Sequence, residues 1–345
     1  MNYQIISVEP FDELVADPDT PESEVEQASA VATLVDHGQR LDKVLVQHWP
    51  EWSRSWLQNL IDQGEVKLAG VVVTKPSAKV RAGDVIEVRF VPTAQASAFV
   101  PQAMALDVVF EDEQVLVLNK PAGMVVHPAA GNWSGTLLNG LLAHHEVAKH
   151  LPRAGIVHRL DKDTSGLMVV GKTQQACERL VEQIGQRQVQ RVYVALAHGS
   201  WHHAAETQVN RRVGRDGRNR LRMAGFEPDS NQGKTALTRV RYLDGNAAYS
   251  WVTCKLHTGR THQIRVHMLD LGHPLVGDAL YGGKPALGLE RQALHAAKLA
   301  FEHPGTRAWM TFEAPLPPDL ADALQQAGLN YNIDSLWTTQ QPEPD

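Results

Sequence analysis

Gly155-Ile156-Val157-His158-Arg159-Leu160-Asp161-Lys162-Asp163-Thr164-Ser165-Gly166-Leu167-Met168-Val169-Val170-Gly171 is the stretch whose reading decides the fold. Its two apolar runs, Ile156–Val157 and Leu167–Val170, read as strands or strand ends. Between them stand His, Arg, two Asp, Lys, Thr and Ser. A segment that only reverses the chain needs one or two polar residues, usually with Gly or Pro. This insert is longer, and its side chains are the kinds that do chemistry. Apolar flanks would anchor it at both ends, which suits a catalytic loop on a rigid frame. The plain alternative for such a segment in isolation is a solvated, charged loop.

Working outward, the 345-residue chain is long enough for two domains. Hydrophobic content of 43% and charged content of 21% fit a globular protein. No run of about 18 apolar residues is present, which argues against a membrane span, and no basic-then-apolar signal opens the chain. Cys177 and Cys254 have neither metal-ligand spacing nor partners for a disulfide framework, so a reducing cytoplasm is the expected location. The net charge of −6 is unevenly spread. Residues 1–39 hold nine acids, residues 330–345 hold three, and neither end has Lys or Arg, so the body between them carries +6. A basic body with acidic ends is compatible with a nucleic-acid partner.

Residues 1–38 read as an acidic, disordered leader and 330–345 as a disordered tail. From Arg40 two short amphipathic helices are expected, the second capped by Ser53 and carrying Trp56, Leu57, Leu60 and Ile61 on one face. Short strands follow at Val66–Leu68, Val71–Val73 and Val85–Phe90, giving a small module over 39–91. Residues 92–104, rich in Pro, Ala, Gln and Ser, read as a linker to a second domain over 105–329. That domain opens with strands around Val108 and Val115, then Lys120-Pro121-Ala122-Gly123, where Pro fixes and Gly frees the backbone. A helix is expected over 173–187 and a strand over Val189–Leu196. Six arginines fall within 211–222, interleaved with Gly214 and Gly217, a density suited to following a phosphate backbone. The last dense motif is Thr258-Gly259-Arg260-Thr261-His262-Gln263-Ile264-Arg265. His257, His262 and His267 do not form a metal pattern, and the neighbouring arginines would repel a dication.

His158-Arg159-Leu160-Asp161 with Thr164-Ser165-Gly166 resembles the signature of the RluA-type pseudouridine synthases. The Thr258–Arg265 segment, Leu294-His295-Ala296 and Ala314-Pro315-Leu316-Pro317 resemble the same family, so the likeness spans roughly 105–318. It is not the protein-kinase loop, which reads H-R-D-L. Arg40-Leu41-Asp42, Ser53-Arg54-Ser55, Ile61–Val66 and Gly83-Asp84 resemble an S4-type RNA-binding domain, with Ala69-Gly70 where many members carry Asn-Gly. The resemblance implies an α+β catalytic domain with a mixed, largely antiparallel sheet, preceded by the small S4-type module. It implies isomerisation of uridine in RNA, with large-subunit ribosomal RNA or a pre-ribosomal subunit as partner. Asp161 would be the nucleophile, Arg265 its ion-pair partner, and Tyr193 would lie against the uracil. Arg159 would fill the space left by a flipped base. Arg260, His262, Arg215 and Arg218, with Lys43 and Arg54 of the module, are the candidate RNA contacts. Such a reaction moves no atoms or electrons in or out, so no cofactor, nucleotide or metal is expected, and the chain is read as a monomer. An alternative is a non-catalytic RNA-binding ribosome-assembly factor on the same fold, against which the intact Asp161, Tyr193 and Arg265 argue.

Overall fold

The computed structural model describes residues 26–50, 54–90, 96–129, 132–219 and 221–339. The chain divides into two compact units, Met1–Phe99 and Val100–Asp345.

In the first unit, α1 (Leu41–His48) and α2 (Arg54–Asp62) turn Leu41, Val44, Leu45, Leu57, Leu60 and Ile61 inward. Four strands receive them: β1 (Glu26–Val31), β2 (Val66–Leu68), β3 (Val71–Val72) and β4 (Val85–Phe90). The sheet runs in the order β1-β4-β2-β3. Along β4, Ile86, Val88 and Phe90 alternate inward against the helices, the period of a half-buried strand. Asp42 is fully buried at the start of α1 and accepts hydrogen bonds from Arg40, Arg54 and Gln58. The Arg40 hydrogen bond, opposed by burial and helped by Arg54 and Gln58, holds the Asp42 carboxyl far below the usual carboxylate range.

The second unit is built on ten strands. In chain order they are β5 (Val108–Glu111), β6 (Val115–Lys120), β7 (Ser165–Gly171), β8 (Gln190–His198) and β9 (Glu206–Arg215), then β10 (Met223–Phe226), β11 (Lys234–Gly245), β12 (Tyr249–Leu256), β13 (Leu294–Glu302) and β14 (Trp309–Glu313). The sheet order is β10-β9-β11-β12-β8-β13-β7-β6-β5, with β14 beside β13. Every pairing is antiparallel except β13 with β7. Side-chain parity sorts the two faces. Leu116, Leu118, Met168, Val170, Tyr193 and Ala195 point to one face, covered by α3 (Leu137–His144) and α5 (Gln263–Asp270). Leu167, Val169, Val192 and Val194 point to the other, covered by α4 (Gln174–Gly185) and α6 (Pro318–Ala327). Strand β7 is buried along its whole length, and each Leu or Val it shields is worth about 1.5–3 kcal/mol. Its parallel partner comes very close. At Gly166, φ is 115° and an added Cβ would lie 2.3 Å from the Ala296 carbonyl oxygen, so only glycine fits.

The three expected low-structure segments differ from the sequence reading. Within the acidic leader, Glu26–Val31 forms β1 and pairs with β4 from Glu26↔Phe90 to Val31↔Val85. Asp36 is 3% exposed and accepts hydrogen bonds from the Thr33 amide and hydroxyl, so this acid shapes a turn. Residues 1–25 lie outside the described residues. In the expected linker, Ala96–Phe99 is a short 3-10 turn, and Val100 and Gln102 hydrogen-bond Asn139 of α3. In the expected tail, Leu336 and Trp337 are buried beside α6. Trp337 lies under the guanidinium groups of Arg239 and Arg241, at 4.5 and 3.6 Å from its ring centre. Composition hid these segments because the anchoring groups, single apolar residues and backbone amides, are few and far apart.

Candidate active site

The loop between Ile156 and β7 is fixed from several sides. Lys120, at the end of β6, is fully buried, and its Nζ donates to the carbonyls of Pro121, Met124 and Lys162 at 2.8–3.0 Å. Burial, opposed by the charges of Asp163 and Asp161, draws its pKa down to about 7. Arg291 donates to the Asp163 carbonyl, Gln292 to Thr164, and Ser165 meets His295 Nδ1 at 2.9 Å. His158 turns away from the solvent. Its Nε2 accepts the Val169 amide hydrogen, and burial lowers its pKa to about 3, so the ring is neutral. These contacts leave Asp161 held on a rigid turn, with its side chain 17% exposed to a cavity of about 450 Å³.

Opposite Asp161 stands Arg265 of α5. Its Nη1 donates to Asp161 Oδ2 at 3.2 Å, the pairing the resemblance implies. Two further donors go elsewhere: Nε to Asp278 Oδ2 at 2.7 Å and Nη2 to Asp278 Oδ1 at 2.8 Å. A two-point clamp of this kind fixes the guanidinium plane. Burial works against the Arg265 charge, but the Asp278 and Asp161 carboxylates outweigh it and raise its pKa. Tyr281 lies 4.8 Å below the same guanidinium and 5.1 Å from that of Arg222. Its oxygen accepts the Met223 amide hydrogen and lies 2.7 Å from His262 Nδ1. The other ring nitrogen of His262, Nε2, faces Asp161 Oδ2 at 3.9 Å. Burial lowers the His262 pKa, against the pull of Asp161.

Tyr193 of β8 lines the cavity, 4% exposed; burial raises its pKa, and Arg191 opposes this. Arg159 and Arg260 stand exposed at its rim. The cavity therefore gathers Asp161, Tyr193, Arg265, Arg159, Arg260 and His262 from segments far apart in sequence. It has a carboxyl group, a fixed cation beside it, an aromatic wall and a basic rim. That set can hold a flat heterocycle and stabilise charge change at a carbon attached to it.

The expected RNA contacts sort by exposure. Lys43 and Arg54 are both exposed, and Arg54 also donates to buried Asp42 at 2.6 Å. Arg215 and Arg218 are exposed on the β9–β10 hairpin. Elsewhere in that cluster, Arg211 pairs with Glu227 and Asp270, Arg212 donates to the Gln232 and Gly233 carbonyls, and Arg222 stacks on Tyr281. Arg220 lies outside the described residues. Lys120 is a buried strut beneath the loop, and His127 forms part of the cavity wall. Sequence reasoning missed two residues of the site, Asp278 and Arg191. Their spacing from Arg265 and Tyr193 gave no signal without the packing.

A family model described as RNA pseudouridylate synthase matches residues 114–270, and one for the S4 domain matches 39–86. A protein of Neisseria meningitidis (serogroup A, serotype 4A) named ribosomal large subunit pseudouridine synthase D is 47% identical over 310 residues, covering 86% of this chain and 81% of its own. The chain belongs to the RNA pseudouridylate synthase family. The protein of the same name from Pasteurella multocida is 42% identical over 318 residues, covering 88% of this chain and 96% of that one. The solved structure of human RNA pseudouridylate synthase domain containing 1 is 28% identical and superposes with a TM-score of 0.50, covering 64% of this chain and 87% of that one. The expected α+β fold, with its largely antiparallel catalytic sheet and S4 domain, is thus the fold of this pseudouridine synthase. The synthase match ends at residue 270, so Asp278, which clamps Arg265, lies beyond it.

Proposed function

We propose that this pseudouridine synthase isomerises defined uridines of large-subunit ribosomal RNA, in the free RNA or in a subunit precursor. The relatives named for that activity support the target. The observation that carries the chemistry is Asp161, kept facing the cavity by an arginine that Asp278 clamps at two points. A uridine leaves its stack and enters the cavity, with Arg159 at the rim to take its place. The Asp161 carboxylate attacks C1′ and the N1–C1′ bond breaks. The uracil, retained against Tyr193, turns and rejoins through C5, and the C5 proton ends on N1. Atoms and electrons balance within the substrate, so the chain's own residues suffice. Exposed Lys43 on the S4 domain, and Arg215, Arg218 and Arg260 on the catalytic unit, contact phosphates. The protein acts as a monomer in a reducing cytoplasm, a setting that suits two buried, unpaired cysteines.

Asp161→Asn is the direct test. RNA affinity should persist, since one carboxylate adds nothing to a multi-phosphate contact, while single-turnover formation of pseudouridine should vanish. Residual turnover above about 1% of wild type removes Asp161 from the role of nucleophile, since losing one commonly costs several orders of magnitude. Mapping pseudouridines in RNA from cells with and without the protein then identifies the target site.

A further inference from the structure

Arg191 is an anomaly in this fold. It lies on β8 and is 8% exposed, yet its Nε is buried with no acceptor and no carboxylate among the described residues pairs with it. A buried, charged donor left without an acceptor costs about 1–3 kcal/mol or more, so folds rarely keep one unless the rest of the guanidinium has an anion or a strong acceptor to meet. The cavity supplies the place. Arg191 lines it together with Tyr193 and Asp161. The surrounding chain also makes room: a Cβ on Gly259 would lie 2.6 Å from Arg191 Nη1, so the glycine of the Thr258-Gly259-Arg260 turn leaves space for the guanidinium. By contrast Arg159, Arg187 and Arg260, which line the same cavity, are exposed. Depth separates their roles. Rim arginines suit solvated phosphates, whereas the buried one suits the part of the substrate that goes deepest.

That part is the base. Residues 191 and 193 lie on the same face of one strand, roughly 6–7 Å apart along it. A uracil that meets Asp161 at its sugar bond and lies against Tyr193 points the carbonyl opposite N1, at C4, away from Asp161 and into the cavity that Arg191 also lines. We infer that Arg191 binds the uracil carbonyl opposite the sugar bond and takes up the charge that gathers there when the bond breaks. The inference rests on uridine being the group that enters the cavity. When N1–C1′ breaks, its electron pair stays on the uracil and spreads onto the C2 and C4 oxygens, while Asp161 takes the freed valence of C1′. The ring then turns about its N3–C6 axis, which exchanges N1 with C5 and C2 with C4. The oxygen on C2 therefore arrives where the oxygen on C4 began. One fixed guanidinium meets a carbonyl at the far end both before and after the turn. The C5–C1′ bond then forms as Asp161 leaves with the negative charge as carboxylate, and transfer of the C5 proton to N1 restores the conjugated ring. The same contact selects against cytidine, whose C4 amino group would meet N–H donors with its own.

The test is single-turnover kinetics at saturating RNA, with uridine or 4-thiouridine at the target position and Arg191→Met or Gly259→Ala in the full-length protein. Sulfur accepts hydrogen bonds poorly, so the thio substitution removes the contact from the substrate side. Wild-type conversion of uridine in this RNA reports on the parent reading by itself. Arg191→Met should slow uridine by about 100-fold, the usual effect of removing one charge-stabilising donor, but slow 4-thiouridine by a few-fold at most. Gly259→Ala, which displaces the guanidinium while the arginine stays, should give the same pattern, and the double variant should be no slower than Arg191→Met alone. Equal losses on both substrates would make Arg191 a structural residue and overturn the proposal. Weaker RNA affinity with a normal saturating rate would make it a phosphate contact and overturn it as well.

Discussion

Replacing Asp278 by Asn removes a charge from one of the most enclosed ion pairs in the protein. Asp278 is 1% exposed and accepts two guanidinium hydrogen bonds, at 2.7 and 2.8 Å. Asn keeps one acceptor oxygen and turns an NH₂ toward the second donor. The variant therefore loses one charge-assisted bond, about 1.5–3 kcal/mol, and leaves Arg265 with Asp161 as its single carboxylate at 3.2 Å. Breaking a buried pair from one side costs about 3–5 kcal/mol in total. In a unit the size of Val100–Asp345, each kcal/mol lowers Tm by roughly 2–4 °C. Thermal unfolding followed by circular dichroism should fall by roughly 6–20 °C. The rate at saturating RNA should fall about 100-fold, because Asp161 loses the fixed partner that aims it. The Arg265→Met background supplies the sharper control. There Asp278 is itself an unpaired buried carboxylate, so adding Asp278→Asn should raise Tm instead of lowering it. A change of less than about 2 °C in the single variant, or a further fall in the double, would refute the clamp.

Three other outcomes are expected. Asp42→Asn should weaken the first unit and reduce its acid sensitivity, Asp36 keeping a share: the Asp42 pKa is lowered in the fold, so its contribution is complete above the unfolded carboxylate value near 3.9 and is lost as pH falls through the depressed one. Acid titration of wild type and variant, followed by near-UV spectra, checks this. Trp337→Ala should cost about 3–5 kcal/mol of stability with a normal rate at 25 °C, since Trp337 supports α6 and lies outside the cavity lining. Deleting residues 1–99 should leave a folded enzyme that still turns over RNA at saturation but binds it less well, with the difference shrinking as salt rises; an unchanged affinity across a salt series would show that the S4 domain does not bind this RNA.

How much of this was legible in the sequence follows from the range over which each signal acts. The Asp161 loop and the Thr258–Arg265 segment could be read because their polar residues are contiguous and their apolar flanks announce strands and a helix. The pairing of Asp161 with Arg265 came from the family resemblance, since no local rule links residues 104 positions apart. Asp278 and Arg191 were missed for the same reason. Their roles depend on burial, and a lone carboxylate or guanidinium in sequence looks like surface charge. The arginines of 211–222 show the converse error. Density suggested phosphate contacts, but Arg211, Arg212 and Arg222 find carboxylates, carbonyls and a ring inside the unit. Within the expected leader and tail, β1 and Trp337 were missed because pairing with β4 and stacking under two arginines of β11 are long-range contacts.

The one parallel pairing in the catalytic sheet also sets an order in time. The first unit closes its sheet within residues 26–90. The active site needs Lys120, Asp161, Tyr193, Arg265 and Asp278 together, and its loop is locked to β13 through Ser165 and His295, 130 positions apart. During synthesis at about 5–20 residues per second, the roughly 210 residues that separate the end of β4 from the end of β13 take on the order of 10–40 s to emerge. For that interval a nascent chain presents a finished RNA-binding module without any chemistry attached. Modification becomes available only once the last central strand has arrived, so a product truncated or stalled before β13 cannot mark RNA.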